Sequence, residues 1–507
     1  MLARVFSCTT VGMEPCLVEV EVDVGGGLPC LEIVGLPNIT VKESKERVRT
    51  AIKNSGFEFP PRRIIINLAP ADVRKEGPGF DLAIAAGILA ATGQLKAKDL
   101  ESYVLVGELS LDGRLRPVPG ILPMSLFLAE KTDKSFIISR ENNGEASLTK
   151  INTYGLSSLA EVKEILEKPG ISLPIEQTSL GGILEEVPVE VTDMAEVKGQ
   201  EMAKRALEVA AAGGHNIIFV GSPGSGKSLL ARCLPSILPP LTSQEALEVS
   251  KIYSVAGLLS REKPIVTTRP FRAPHHSSSL ASIIGGGQVP KPGELTLATH
   301  GILFLDELPE YRRDVLESMR QPMEDKVVTL SRVAAAITYP AKFQLVGSAN
   351  PCYCGYFGDP VKECTCTPYQ VNKYRNKISG PLLDRIDIQI EVPRVSYQEL
   401  DSSEQEEPSK IVRNRVIQAR QRQLERFGKL PITCNAQMGA KEVRKYCAIK
   451  GSARELLAQA FKALGLSARA HDRILKVART VADLAGSNEI QSTHVAEAIQ
   501  YRSFDRV

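Results

Sequence analysis

The chain has 507 residues, of which 43% are apolar and 24% charged, with a net charge of +3 at neutral pH. These proportions exclude a largely disordered or low-complexity chain, and at about 150 residues per domain they imply roughly three domains. No run approaches the roughly 18 apolar residues of a membrane span and no secretory leader opens the chain, so a cytoplasmic protein is expected, whose clustered cysteines favour metal over disulfide.

In chain order, Val18, Val20, Val22 and Val24 alternate with Glu19, Glu21 and Asp23, the period of a half-buried strand. "NITVKESKERVRTAIKNSG" reads as a helix closed by Gly56, "RRIIINLAP" as a buried strand and "GFDLAIAAGILAATGQ" as a helix of small apolar residues. Residues 1–168 are thus expected to form an α+β domain, and 169–190, rich in Pro, Gly and acids, a linker. Over 191–393 buried strands ("NIIFVG", "GILFLDE", "FQLVGSAN") alternate with helical stretches, which predicts a parallel α/β sheet covered on both faces. Residues 394–507 read as amphipathic helices; within them, 411–480 hold sixteen Lys or Arg against four acids, either a solvated helical face or a surface for a polyanion.

The strongest motif is "FVGSPGSGKSLLARCL". Gly221, Ser222, Pro223, Gly224, Ser225, Gly226, Lys227 and Ser228 follow an apolar strand and precede a helix, the context of a phosphate-binding loop. The glycines let backbone N–H groups turn inward on the β-phosphate, Lys227 neutralises β- and γ-phosphate charge, and the Ser228 hydroxyl can ligate Mg2+. ATP and Mg2+ are the expected cofactors. Further on, "GILFLDELPE" ends a strand on Asp306, suited to the Mg2+ shell, and Glu307, suited to orienting or deprotonating the attacking water. Asn350 closes a third strand and lies beside the γ-phosphate if that strand neighbours the other two. Arg385, in "SGPLLDRIDIQ", either pairs with Asp384 or Asp387 or reaches the nucleotide of an adjacent subunit. His275 and His276 stand in a polar loop with no carboxylate or thiol nearby in sequence, and are read as hydrogen-bonded structure.

Directly after Asn350 come Cys352, Cys354, Cys364 and Cys366 in two C-x-C pairs. A structural zinc held by four thiolates would close the loop 351–366 and fix the exit from the strand; unliganded thiols and disulfides are the competing readings.

Together, "EVKGQEMAKRALEVAAAGGHNIIFVGSPGSGKS", "RPFRAPHHSSSLASIIGGG", "PGELTLATHGILFLDELPE" and "SGPLLDRIDI" resemble the magnesium-chelatase-like AAA+ ATPases, specifically the bacterial ComM/YifB family, and the resemblance runs the full length. It implies an AAA+ P-loop ATPase core of α/β class, an N-terminal ribosomal-S5/Lon-protease-like α+β domain and a C-terminal helical lid. It further implies that Asn350 is sensor 1, Arg385 a trans arginine finger and Arg469 the sensor 2 arginine of the lid, with Arg473 one turn along as its competitor. Members of the family are expected to form homo-hexameric rings and to drive DNA branch migration during natural transformation, on single-stranded, forked or branched DNA and away from membranes. An ATP-driven protein-remodelling or metal-insertion chaperone of chelatase type is the alternative, and a non-hydrolysing scaffold is disfavoured because every catalytic position holds a competent residue.

Two loops are expected to grip DNA by its phosphates: one with Gly285, Gly286 and Gly287 at its tip, and a hairpin carrying Lys326 and Arg332. On the first helix, Lys42, Lys45, Arg47 and Arg49 read as a solvated face before a nucleic-acid contact. Lon carries its nucleophilic serine directly after a Gly-Pro, where "KEGPGFDLA" places Gly79, so no peptidase activity is expected.

Overall fold

The alternating valines build a long hairpin: β1 (Leu2–Val11) and β2 (Glu14–Gly25) pair antiparallel from Leu2↔Asp23 to Val11↔Glu14, and all four valines are buried. The computed structural model describes residues 1–507 except 73, 74, 76, 98, 169, 179–191, 261, 288, 289, 332–335, 402–405 and 503–507. After β3 (Cys30–Val34), Asn38 caps α1 (Ile39–Asn54) by accepting from the Val41 amide at 2.9 Å. Next come β4 (Arg63–Ala69), α2 (Asp81–Ala91), β5 (Tyr103–Leu105), the short ribbon β6 (Glu108–Leu109) with β7 (Leu115–Arg116), α3 (Ile121–Lys131), β8 (Ser135–Ser139) and β9 (Thr153–Leu156). One seven-stranded mixed sheet, ordered β3-β4-β2-β1-β5-β8-β9, carries this region. Buried on almost every side, α2 lies so close to β2 that a Cβ on Gly87 would sit 2.6 Å from Val22. A helix apolar all round must be enclosed, which is why this sequence lacks an amphipathic pattern.

Most of the expected linker, residues 179–190, lies outside the described residues. Beyond it, β10 (Ile217–Val220), β11 (Phe271–Arg272), β14 (Ile302–Leu305), β17 (Gln344–Ala349) and β18 (Ile388–Glu391) form a wholly parallel sheet ordered β11-β14-β17-β10-β18. Its two faces feed different cores, Ile217 and Phe219 joining one cluster and Ile218, Leu303 and Leu345 the other. Two hairpins lie in the segments between its strands. Gly285–Gly286 (β12) pairs with Lys291–Pro292 (β13), so two of the three expected tip glycines stand in a ladder. Val327–Ser331 (β15) pairs with Ala336–Pro340 (β16).

Four main helices complete the chain's end, at Ser409–Phe427 (α4), Gly451–Leu464 (α5), Ala468–Leu484 (α6) and Ser492–Gln500 (α7). They are not a separate globule: Val412, Val416, Ile474, Val477 and Val495 belong to the same buried cluster as Ile217, Phe219 and the helix Glu201–Gly213.

The amino-terminal domain docks on the helix Ser243–Ala256. Glu145, half-buried, accepts from the Ser254 hydroxyl at 2.5 Å and the Leu122 amide at 3.1 Å, while Leu122 and Leu148 pack with Leu241, Ala246 and Ile265. A second contact is tighter still. Gly12, at the β1–β2 turn with φ +63°, faces the β15–β16 hairpin so closely that a Cβ there would lie 2.3 Å from Ile337. Among the described residues no helix is long and apolar enough to cross a membrane.

Candidate nucleotide site

The strand order explains how residues scattered over more than a hundred positions meet. Because β17 lies between β10 and β14, with Val220 opposite Ala349 and Leu305 opposite Gly347, the three strands deliver their carboxyl ends side by side, the edge where open α/β sheets bind ligands. β10 runs into Gly221–Ser228, β14 into Asp306 and Glu307, and β17 into Asn350.

Gly224 and Gly226 take φ +80° and +90°, left-handed values that turn the loop back on itself before Lys227 opens the next helix, Lys227–Ile237. The Lys227 ammonium donates to the carbonyls of Gly221 and Ser222 at 2.7 and 2.9 Å and approaches Asn350 Oδ1 at 3.4 Å. Burial pushes it down to about 8, against the pull of Asp306 and Glu307. Ser228 Oγ donates to Asp306 Oδ2 at 3.0 Å, and Ser348 holds the other oxygen of Asp306. These residues fit the groups expected of them. Among the described residues the buried Ser225 hydroxyl has no hydrogen-bond partner, an orphan donor that a phosphate oxygen would satisfy, and Ser228 with Asp306 would hold Mg2+, whose chemistry is to neutralise phosphate charge.

Glu307 is held in the left-handed region, φ +52°, by hydrogen bonds from its own amide to Ser348 Oγ at 3.0 Å and Asp306 Oδ1 at 3.2 Å. Its carboxylate lies 3.8 Å from His276 Nδ1, and the His276 ring meets Tyr311 edge-on at 6.4 Å. His275 is hydrogen-bonded to Ser277 Oγ at 2.8 Å, as expected of the pair, while the approach of His276 to Glu307 adds a carboxylate from a distant part of the chain. Sequence reasoning missed the contact because the partners are 31 positions apart on an irregular loop, and the only signal was the density of polar side chains in "APHHSSS".

The four cysteines converge. Their sulfurs all lie within 4.8 Å of one another, with Cys352–Cys354, Cys352–Cys364 and Cys354–Cys364 at 3.3, 3.6 and 3.5 Å, and none is disulfide-bonded. Zn–S bonds of about 2.3 Å in a tetrahedron place sulfurs roughly 3.8 Å apart, so the donor set suits zinc. Burial raises the Cys354 thiol, but the backbone N–H groups of Tyr356 and Thr365 and the neighbouring thiols bring it to about 5. The loop leans on the phosphate loop: a Cβ on Gly355 would lie 2.8 Å from the Pro223 ring, and Asp359 stands beside the Ser222 side chain.

Other candidates fall elsewhere. Arg385 is buried, donates to the Pro381 carbonyl at 2.6 Å and pairs with Glu324 at 2.6 Å, so within one chain it does not reach outward as expected of a trans finger. Arg473 is taken up by Asp387 at 2.5 Å, whereas Arg469 is exposed on the first turn of α6. Lys326 sits at the base of its hairpin, half-buried and lining a cavity, where it is not displayed to DNA; Arg332 lies outside the described residues. Arg47 is consumed by the buried Asp81 at 2.9 Å and Arg49 lies over Phe59 at 5.7 Å, a structural use of that helix face. A Cβ on Gly79 would already meet Val118 at 3.3 Å, leaving little room for a serine at the Lon-type position.

Comparison with known proteins follows the same division of the chain. Residues 20–142 match the model for subunit ChlI of Mg-chelatase, 193–400 that for magnesium chelatase, subunit ChlI, and 406–502 that for its C-terminal part. The chain is 44% identical over 513 residues to competence protein ComM of Haemophilus influenzae, spanning 100% of this chain and 98% of that one. It is 44% identical over 509 residues to YifB of Salmonella typhimurium, with the same coverage. Over 136 residues, 27% of this chain and 24% of its relative, it is 29% identical to Lon protease 2 of Bacillus subtilis. With that identity sustained from end to end and the phosphate loop, Asp306, Glu307 and Asn350 gathered on one sheet edge, the chain belongs to the ComM/YifB family of magnesium-chelatase-like AAA+ ATPases.

Proposed function

We propose that the protein is an ATP-hydrolysing motor that assembles as a homo-hexameric ring and moves branched DNA, in recombination during natural transformation. The observation that carries the hydrolytic part is the convergence of Lys227, Ser228, Asp306 and Asn350, with Glu307 beyond them facing His276. The β- and γ-phosphate oxygens draw the Lys227 ammonium away from the carbonyls it now satisfies, Asn350 orients the γ-phosphate, and Glu307 takes the proton of the attacking water. In a ring, Arg385 exchanges Glu324, itself half-exposed, for the transferring phosphate of the neighbouring subunit, and Arg469 closes the site from the lid.

The DNA part is supported by the lid's charge. Of the sixteen cations at 411–480, eight are bound internally, among them Arg415 to Glu208, Arg426 to Asp483 and Arg473 to Asp387. The other eight, Lys429 to Arg469, are exposed. The link to competence comes from the name of the Haemophilus relative.

ATPase rate measured with and without forked or single-stranded DNA across a salt series tests this reading. Stimulation should fade with salt, with a log–log binding slope of about −0.7 per phosphate contact on single strands. Absence of any DNA response sinks the DNA motor and favours the chelatase-like chaperone. Glu307→Gln should lower turnover by about 10²–10⁴-fold while ATP still binds.

A further inference from the structure

At the opposite edge of the parallel sheet, where its strands begin, lies a second cavity of about 200 Å³. Gly214, Gly301 and Gln344, at the starts of β10, β14 and β17, form its floor, and Arg420, Cys434 and Gln437 from the C-terminal region form its roof. Five cationic side chains line it, Arg269, His300, Lys326, Lys342 and Arg420, against one carboxylate, Glu245. Arg269 lies 3.0 Å from Glu245, His300 3.4 and 2.8 Å from Glu245 and Glu248, and Lys342 2.9 Å from Glu248. Burial opposes charge on His300, yet those two carboxylates raise its pKa. Both acids are therefore already spent.

Two cations remain outside any ion pair among the described residues. Arg420 reaches only the carbonyl of Ala211, at 2.9 and 3.2 Å. Lys326 has no hydrogen-bond or ion-pair partner among the described residues; burial lowers its ammonium pKa, with Cys434 and the more distant Asp387 pulling against it. Its place is nonetheless fixed. With φ +58°, a conformation few residues other than glycine adopt, it ends the helix Arg320–Asp325 and opens β15; its amide donates to Pro322 at 3.0 Å and its carbonyl accepts from Ala341 at 2.8 Å. Gln437 accepts through Oε1 from the Thr433 amide at 2.8 Å, which leaves its NH2 as a further donor at the mouth.

We propose that this cavity is a second anion site, separate from the phosphate loop, that takes a compact phosphate-type oxyanion: orthophosphate, or the phosphate of a small phosphorylated compound. Half-buried cations outside ion pairs are costly until an anion completes them, and Lys326, Arg420 and Gln437 converge from three segments on one space. The volume is below the roughly 300–1,000 Å³ of pockets that enclose drug-sized ligands, so a phosphate suits it better than a whole nucleotide. A bound anion bridges the base of the β15–β16 hairpin to α4, tying the hairpin to the C-terminal helices through charge.

The test uses the full-length chain with the phosphate loop blocked, once by Lys227→Ala and once by saturating Mg-ADP, since free phosphate would otherwise bind there. Titration calorimetry with inorganic phosphate and, separately, with glycerol 3-phosphate should show one saturable equivalent per chain. Lys326→Met should weaken it at least tenfold without changing ATP affinity at the intact loop, and Arg420→Met serves as the second variant should the first fail to fold. The tighter of the two probes identifies the source of the phosphate. No saturable binding with the loop blocked, or binding unchanged in both variants, overturns the proposal.

Discussion

Lys227 is a cation in a place that resists charge. Burial holds its ammonium at about 8, below the ordinary 10.5, so the folded apo protein binds fewer protons than the unfolded chain between those two values, and that group's contribution to stability rises with pH across the window. Triphosphate reverses the balance by favouring the protonated form. ATP binding should therefore take up a proton near pH 8 and weaken about tenfold per pH unit above it; calorimetry in buffers of different ionisation enthalpy measures both, and pH-independent binding up to pH 9.5 would refute the assignment. His276 belongs to the same scale. Its 3.8 Å approach to Glu307 positions the base, so His276→Ala should cut kcat roughly tenfold with ATP affinity intact, whereas His276→Gln should recover part of the loss. Lys227, Asp306 and Glu307 were legible in the sequence because their chemistry demands fixed neighbours. His276 was not, since nothing local records which carboxylate a loop will approach.

At the scale of elements, the cysteine loop acts on the nucleotide through packing. Gly355 against Pro223 and Asp359 against Ser222 brace the phosphate loop from outside, so a zinc that holds the four sulfurs also sets where that brace stands. Protein purified without added metal should carry one zinc per chain by elemental analysis. Cys354→Ser should lower zinc content and ATP affinity together, and full ATP affinity in zinc-free protein would disconnect the two. The cluster was legible from spacing alone, but its contact with Pro223 required the fold. The hairpin β15–β16 was legible as a hairpin, yet the direction of Lys326 was not: periodicity predicts a strand's two faces, while Lys326 sits one residue before the strand in a left-handed turn that escapes the pattern.

For the whole molecule, the amino-terminal domain is joined to the ATPase by a charge in an apolar seam. Burial raises the pKa of Glu145 even though Ser254, Leu122 and Asn142 donate to it, and removing the carboxylate strands those donors. Glu145→Ala should cost about 1–3 kcal/mol, read as a lower midpoint in denaturant and faster amide exchange in the helix Ser243–Ala256; an unchanged midpoint would show that the seam is carried by Leu122 and Leu148 alone. Net charge misled at this scale, because a tally over 411–480 cannot separate an arginine that holds helices together from one that meets solvent. The turn at Gly12 has a mechanical consequence. Seated against Ile337, it works like a pawl on a ratchet tooth: a swing of the hairpin towards it must lift the amino-terminal domain or carry it along, so movement of the hairpin is geared to a domain that does not carry the phosphate loop.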